Sequence, residues 1–80
     1  MDRKNRIRTI VAEFAGIEKP IEQVADADDL FDAGMTSQGS VALLTGIEVE
    51  FDVEIPDEMI TSVTFASIDS IDSALEAAGV

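Results

Sequence analysis

The chain has 80 residues, enough for one small domain with a limited hydrophobic core. Its 17 acidic residues outnumber its 5 basic ones and give a net charge of −12, so its surface repels nucleic acid and favours basic protein partners. It contains no cysteine and no histidine, which excludes disulfides, thiolate metal sites and the usual serine or cysteine catalytic triads.

Residues 1–80 contain no apolar run long enough to cross a membrane, and the first residues do not follow a signal-peptide pattern. We therefore expect a single domain over 1–80, a cytoplasmic monomer that binds no membrane. Composition alone is equally consistent with a small domain that its acids merely keep in solution.

The first predicted element is an amphipathic helix over residues 3–15, with Asp2 as its N-cap and Gly16 as its stop. Its apolar residues recur at the spacing of one helical face: Ile7, Ile10, Val11 and Phe14. Four of the five basic residues lie near its start, where the helix dipole is positive: Arg3, Lys4, Arg6 and Arg8. We expect acids elsewhere in the chain to neutralise them.

A long loop without sustained periodicity follows over residues 17–36, and loops of this length are usually functional. Apolar residues that would anchor it to the core are Ile17, Ile21, Val24, Leu30 and Phe31. Its acids do not fit a calcium-binding loop, because starting from Asp26 and Asp28 places Leu30 at the third ligand position. The loop is then either a solvated acidic surface or a weak divalent-cation site, and we predict no dedicated metal site.

Helical spacing returns from Ser37 to Phe51, with Ser37 or Thr36 as the N-cap. One face is predicted to carry Val41, Leu44, Ile47 and Phe51, with Leu43 nearby. Gly39 and Gly46 weaken a helix, so their presence predicts close approach by another helix or by a partner.

The last third of the chain predicts two more helices. Pro56 suits the entry to a short helix from Asp57 to about residue 62, with Met59 and Ile60 facing inward. Phe65 then inserts into the core, and Ser67 caps a final helix that ends at Gly79. The predicted fold is all-α: a small four-helix bundle with a long first loop and a short third helix.

The segment from Gly34 to Asp57 carries the strongest functional signal. A Gly34-Met35-Thr36-Ser37 turn opens the apolar helix, and Glu48, Phe51-Asp52-Val53 and Ile55-Pro56 close it. This arrangement resembles the attachment region of acyl and peptidyl carrier proteins. The resemblance implies the acyl-carrier-protein type of bundle and a 4′-phosphopantetheine arm on Ser37. A phosphopantetheinyl transferase would take that arm from coenzyme A, with Mg²⁺ on the transferase. Ser40, one turn further along, is the fallback attachment site.

The chain departs from fatty-acid-synthesis carriers beside the serine. Thr36 and Gln38 stand where those carriers usually have aspartate and leucine, and the helix is uncharged from Ser37 through Ile47. Over residues 34–68 the chain is more similar to small stand-alone bacterial carriers that accept an amino acid from amino acid:carrier protein ligases.

The resemblance implies a non-catalytic carrier that holds an acyl or aminoacyl group as a thioester, with a small amino acid as the expected cargo. Its partners would be the transferase, an amino acid:carrier protein ligase or an acyl-activating enzyme, and a downstream acyl or aminoacyl transferase. Partner contacts are predicted around the serine at Met35, Thr36, Gln38, Val41, Ala42, Thr45 and Glu48. Two alternatives stay open: a fatty or polyketide acyl carrier, and an unmodified acidic interaction module in which Ser37 is only an N-cap.

Overall fold

Three α-helices form the framework of the computed structural model, which describes residues 2–61 and 63–80. They are α1 (Arg3–Phe14), α2 (Ser37–Phe51) and α3 (Ile68–Ala77). Two 3₁₀ turns, Ile21–Gln23 and Asp57–Met59, lie in the connecting segments, and the described ranges contain no strand. The all-α prediction is therefore confirmed.

The predicted short third helix is only the 3₁₀ turn Asp57–Met59, so the predicted count of four helices is wrong by one. Residue 62, where the helix was expected to end, lies outside the described residues. The helix does not extend because the residues that follow are rich in β-branched side chains, which lose rotamer freedom in a helix: Ile60, Thr61, Val63 and Thr64. Met59 packs against the core as predicted, whereas Ile60 is 40% exposed.

Each helix begins at a polar residue that accepts a hydrogen bond from a backbone N–H three positions on. Asp2, Thr36 and Ser67 have this role for α1, α2 and α3. At the start of α2, Thr36 Oγ1 accepts from the Gly39 N–H at 3.0 Å. Because Thr36 is the cap, Ser37 is the first residue inside α2 and its hydroxyl has no capping function.

The core is built from aliphatic side chains of all three helices and from anchors in the loops. Leu43 and Ile47 of α2 are fully buried, but Val41 is 64% exposed, so its predicted inward orientation is wrong. Val41 precedes Leu43 by two residues, about 200° around the helix axis. The inward face of α2 therefore centres on Leu43 and Ile47, and Val41 lies on the outer face.

The two glycines of α2 mark its close approach to α1, as predicted. A Cβ at Gly39 would overlap the carbonyl group of Ala15, lying 2.9 Å from the carbonyl carbon and closer still to the oxygen. A Cβ at Gly46 would lie 2.8 Å from Ile10 Cγ2 and 2.9 Å from Phe14 Cδ2. The two helices run antiparallel and contact each other through these positions.

The N-terminal basic residues join α1 to the long loop, α2 and α3 through hydrogen bonds and ion pairs. Arg8 donates to the carbonyl oxygens of Ile21 (3.2 Å) and Val24 (2.7 Å) and to Asp26 Oδ1 (2.7 Å), which fastens the long loop to α1. This hydrogen bond from Arg8 lowers the pKa of Asp26.

The other three bases of the cluster also pair with acids. Arg3 pairs with Asp72 of α3, and Arg6 pairs with Glu50 of α2. Lys4 lies 2.9 Å from Asp69 Oδ1. The predicted neutralisation of the N-terminal bases is confirmed.

Candidate functional site

Ser37 lies at the point where the chain leaves the loop and enters α2, and its side chain is exposed. The preceding turn is held by several backbone hydrogen bonds. The Ala33 carbonyl oxygen accepts from the Glu18 N–H at 2.8 Å, and the Met35 N–H donates to the Leu30 carbonyl at 3.0 Å. The loop therefore presents the serine from a fixed turn.

Gly34 is required at this turn for two reasons. Its φ of +112° lies in a region that residues with a side chain rarely adopt. A Cβ there would also lie 2.8 Å from the Glu18 backbone nitrogen. The glycine that the sequence motif places three residues before the serine thus allows the loop to pass closely over residue 18.

The first backbone N–H groups of α2 lie beside Ser37. The Gly39 N–H bonds to Thr36 Oγ1 and the Ser40 N–H bonds to the Thr36 carbonyl, whereas the N–H groups of Ser37 and Gln38 have no acceptor among the described residues. The first turn also carries no acid. A phosphodiester on Ser37 Oγ would therefore sit where backbone donors and the helix dipole favour an anion.

Ser40 is less suited to modification than Ser37. It is half-buried, and its hydroxyl donates to the Ser37 carbonyl oxygen at 2.7 Å. Its proton is already engaged inside the helix, whereas no such bond holds the hydroxyl of Ser37 within the part of the chain that the structure describes.

A small open pocket of about 260 Å³ adjoins Ser37. It is bounded by residues of the long loop, of α2 and of the segment between α2 and α3: Phe31, Ser37, Ser40, Val41, Leu44, Ile60, Thr61 and Phe65. Sequence reasoning identified Phe31 and Phe65 as core anchors but did not place them beside the serine. No pattern in the sequence indicates that two residues so far apart along the chain line one pocket.

The predicted contact residues differ in how much of their side chains is exposed. Thr36 is exposed at the N-cap, immediately before Ser37. Gln38, Val41 and Thr45 are exposed along α2 after it, and Ala42 is half-buried. Met35 is different, because its side chain is 4% exposed and belongs to the core, so it offers a partner almost no side-chain surface.

Glu48 has a structural task in addition to its predicted partner contact. Its Oε2 accepts from the Ile55 N–H at 2.9 Å, and its carbonyl accepts from the Val53 N–H at 3.1 Å. Asp52, between them, adopts the left-handed conformation that ends α2. The carboxylate of Glu48 thus holds the segment after α2 against the helix.

No group of three or more acidic side chains in the described ranges is arranged to hold a metal ion. Among the helices of this structure, none is long and apolar enough to cross a bilayer.

Residues 5–71 match the family described as "phosphopantetheine attachment site". The chain belongs to this family. The expected 4′-phosphopantetheine prosthetic group is thereby confirmed. The Ser37 and Gln38 N–H groups, which have no acceptor within residues 2–61 and 63–80, fit a phosphate group.

Among curated proteins, the chain is 41% identical over 70 residues to an aminoacyl carrier protein of Agrobacterium fabrum, covering 88% of this chain and 84% of the relative. It is 34% identical over 71 residues to aminoacyl carrier protein 1 of Bradyrhizobium diazoefficiens, covering 89% and 79%. The predicted resemblance to small aminoacyl carriers is confirmed.

Solved structures give the same answer for the fold. The chain superposes with a TM-score of 0.88 and 40% identity on a crystal structure of engineered Bradyrhizobium japonicum glycine:[carrier protein] ligase complexed with carrier protein from Agrobacterium tumefaciens and AMP, covering 91% of this chain and 97% of the matched chain. A structure of the Bradyrhizobium japonicum ligase complexed with glycylated carrier protein matches with a TM-score of 0.76 and 31% identity, covering 91% and 99%.

Proposed function

We propose that this protein is an aminoacyl carrier whose Ser37 bears the phosphopantetheine arm. The observation that carries the proposal is the exposed Ser37 hydroxyl at the start of α2, beside two backbone N–H groups that have no acceptor in the part of the chain that the structure describes. The 41% identity to an aminoacyl carrier protein supports the class of cargo. When attached, the arm supplies a terminal thiol on which the cargo is held as a thioester.

The chain presents Ser37 to its partner enzymes and does not itself catalyse a reaction. Ser37 Oγ forms a bond to the pantetheine-side phosphorus of coenzyme A, the P–O bond of the pyrophosphate breaks, and 3′,5′-ADP leaves. No ionisable side chain of the chain hydrogen-bonds to Ser37 Oγ in the described residues, so the serine proton passes to a base on the transferase. The carrier then keeps the new phosphodiester at the dipole-favoured start of α2.

The pocket beside Ser37 supports a small cargo. Its 260 Å³ lies below the range of about 300–1,000 Å³ usual for sites that enclose drug-sized ligands. Each methylene of a fatty chain gains about 0.8 kcal/mol only if it is buried. A glycyl or alanyl group needs no such burial, whereas a long acyl chain would have to open the pocket.

The partners follow from this cargo. A phosphopantetheinyl transferase installs the arm, an amino acid:carrier protein ligase loads it, and a downstream aminoacyl transferase removes the amino acid. The solved complexes that contain such a ligase bound to similar carriers support the second step.

Intact mass after incubation with coenzyme A, Mg²⁺ and a broad-specificity transferase tests the attachment site. We expect the wild type and Ser40→Ala to gain the mass of one phosphopantetheine group, and Ser37→Ala to gain none. A gain that persists in Ser37→Ala, or no gain in the wild type, contradicts the assignment.

The cargo is tested separately on the holo-protein. An amino acid:carrier protein ligase with ATP and each small amino acid is compared with an acyl-activating enzyme and fatty acids. We expect aminoacylation to be the efficient reaction. Efficient fatty acylation without aminoacylation would leave the carrier role and reject this cargo.

A further inference from the structure

A second concave surface, larger than the Ser37 pocket, lies between α1 and α2. This groove encloses about 540 Å³, and its apolar lining is Ile10, Phe14, Ala42, Gly46 and Val49. The Ser37 pocket is lined from α2 by Ser40, Val41 and Leu44 instead. The groove and the pocket therefore flank the exposed ridge of α2 on opposite sides.

The groove exposes large apolar groups to solvent. Val49 is 77% exposed and Phe14 is 44% exposed, and both line the groove. Gly46 contributes to the groove, because its missing Cβ lets the side chains of Ile10 and Phe14 approach α2 closely. A groove with an apolar floor and polar rims is the form in which proteins receive a partner's helix.

The charges on the rim are not balanced. Arg6 is paired with Glu50: it donates to Glu50 Oε2 and to the Glu50 carbonyl, each at 3.0 Å, and its guanidinium lies 4.3 Å from the centre of the Phe51 ring. Glu13, on the α1 side of the rim, forms no ion pair within the described residues. The uncompensated charge of the groove is therefore negative.

We infer that this groove is a docking site for a segment of the ligase that loads the arm, and that the segment brings an apolar side chain flanked by a lysine or arginine. The inference rests on the proposed function. Ala42 and Thr45 line the groove and also belong to the exposed side of α2 that leads to Ser37. One partner surface can thus cover the serine and the groove without a gap.

A second copy of the chain does not fit the same groove. Each copy has a net charge of −12, and four of its five bases are held in internal ion pairs. A second copy would bring mainly acids towards Glu13, and like charges at an interface are unfavourable.

The test uses two groove variants, each with a matched control on the exposed surface. Val49→Gln places a polar group in the groove, and Ala12→Gln places the same group on α1 away from it. Glu13→Lys reverses the rim charge, and Glu22→Lys makes the same charge change in the loop. Circular dichroism and thermal unfolding verify that all four fold, and Val49→Ile serves as a variant that keeps the groove apolar.

Affinity of each holo-protein is measured for the engineered Bradyrhizobium japonicum glycine:[carrier protein] ligase in the presence of AMP. We expect Val49→Gln and Glu13→Lys each to weaken binding about fivefold or more, as truncation of a central contact does, with both controls and Val49→Ile within about twofold of the wild type. Modification of Ser37 by the transferase, measured on the same samples, reports on the proposed function independently.

The inference is overturned if Val49→Gln binds like Ala12→Gln, or if Glu13→Lys binds like Glu22→Lys, while Ser37 is still modified. Failure of the wild type to bind this ligase also overturns it, as does a stable dimer in sedimentation that Val49→Gln dissolves. An unmodified Ser37 would instead contradict the proposed function itself.

Discussion

Replacing Gly39 by alanine should destabilise the protein even though alanine is the better helix former. A Cβ at this position would lie 2.9 Å from the Ala15 carbonyl carbon and closer to its oxygen. The obstacle is backbone, which cannot rotate away as a side chain can. The start of α2 and the end of α1 must therefore move apart.

The magnitude follows from two opposing effects. Overpacking of a close contact costs about 1–3 kcal/mol, and a backbone obstacle places Gly39→Ala near the upper end. Alanine stabilises a helix by about 1 kcal/mol relative to glycine, which offsets part of this cost. We expect a net loss of about 2 kcal/mol in the free energy of unfolding, and a melting temperature lower by about 10 °C for a domain of this size.

Urea unfolding followed by circular dichroism measures this loss. The exposed Thr45 provides the control, because the difference between Thr45→Ala and Thr45→Gly reports the helix-propensity effect at a solvent-exposed position of the same helix. We expect Thr45→Ala to be more stable than Thr45→Gly, whereas Gly39→Ala should be less stable than the wild type. If Gly39→Ala is as stable as the wild type or more so, the close contact between α1 and α2 does not exist as described.

Two further predictions concern the acids. Glu48→Ala should lower the free energy of unfolding by about 1–2 kcal/mol, because the Ile55 N–H loses its charged acceptor, and urea unfolding should show no comparable loss for the exposed Glu54→Ala. The hydrogen bond from Arg8 lowers the pKa of Asp26 in the folded protein below its ordinary value of 3.8. The ionised Asp26 therefore stabilises the fold fully above pH 3.8, and this stabilisation is lost as the pH falls through the pKa that Asp26 has in the folded state. Unfolding free energies measured between pH 5 and about pH 2 should fall less steeply for Asp26→Asn than for the wild type; an unchanged slope would contradict this pairing.

The helices could be predicted because caps and periodicity agree in this chain. Asp2, Thr36 and Ser67 each precede an apolar-periodic run, and each is the observed N-cap. The inward face of α2 could not be predicted, because apolar residues occur on both of its sides. Val41 and Val49 on the outer side are as apolar as the residues that the core buries, so hydrophobic spacing alone does not orient the helix.

The candidate site was predictable where it is local in sequence and not where it is assembled from distant segments. The Gly34 turn and Ser37 lie within four residues. Gly34 has a positive φ and Ser37 is the first residue of α2, as a turn that opens a helix requires. Phe31 and Phe65, which are 34 residues apart in the sequence, line one pocket beside Ser37 only in the folded chain. The hydrogen bond that the Ile55 N–H donates to Glu48 follows a left-handed conformation at Asp52. Aspartate tolerates this conformation but does not require it, so the sequence did not predict the bond.

The ion pair of Lys4 has a chemical consequence for a protein that carries a thioester. Thioesters are attacked by thiolates, imidazoles and neutral amines, and this chain has no cysteine, no histidine and only two lysines. Hydrogen bonding to Asp69, with Asp26 nearby, raises the pKa of Lys4 and holds its amine in the protonated, non-nucleophilic form. The side chains of the carrier therefore include few nucleophiles that could attack the thioester, so that a loaded amino acid stays attached until the downstream transferase removes it.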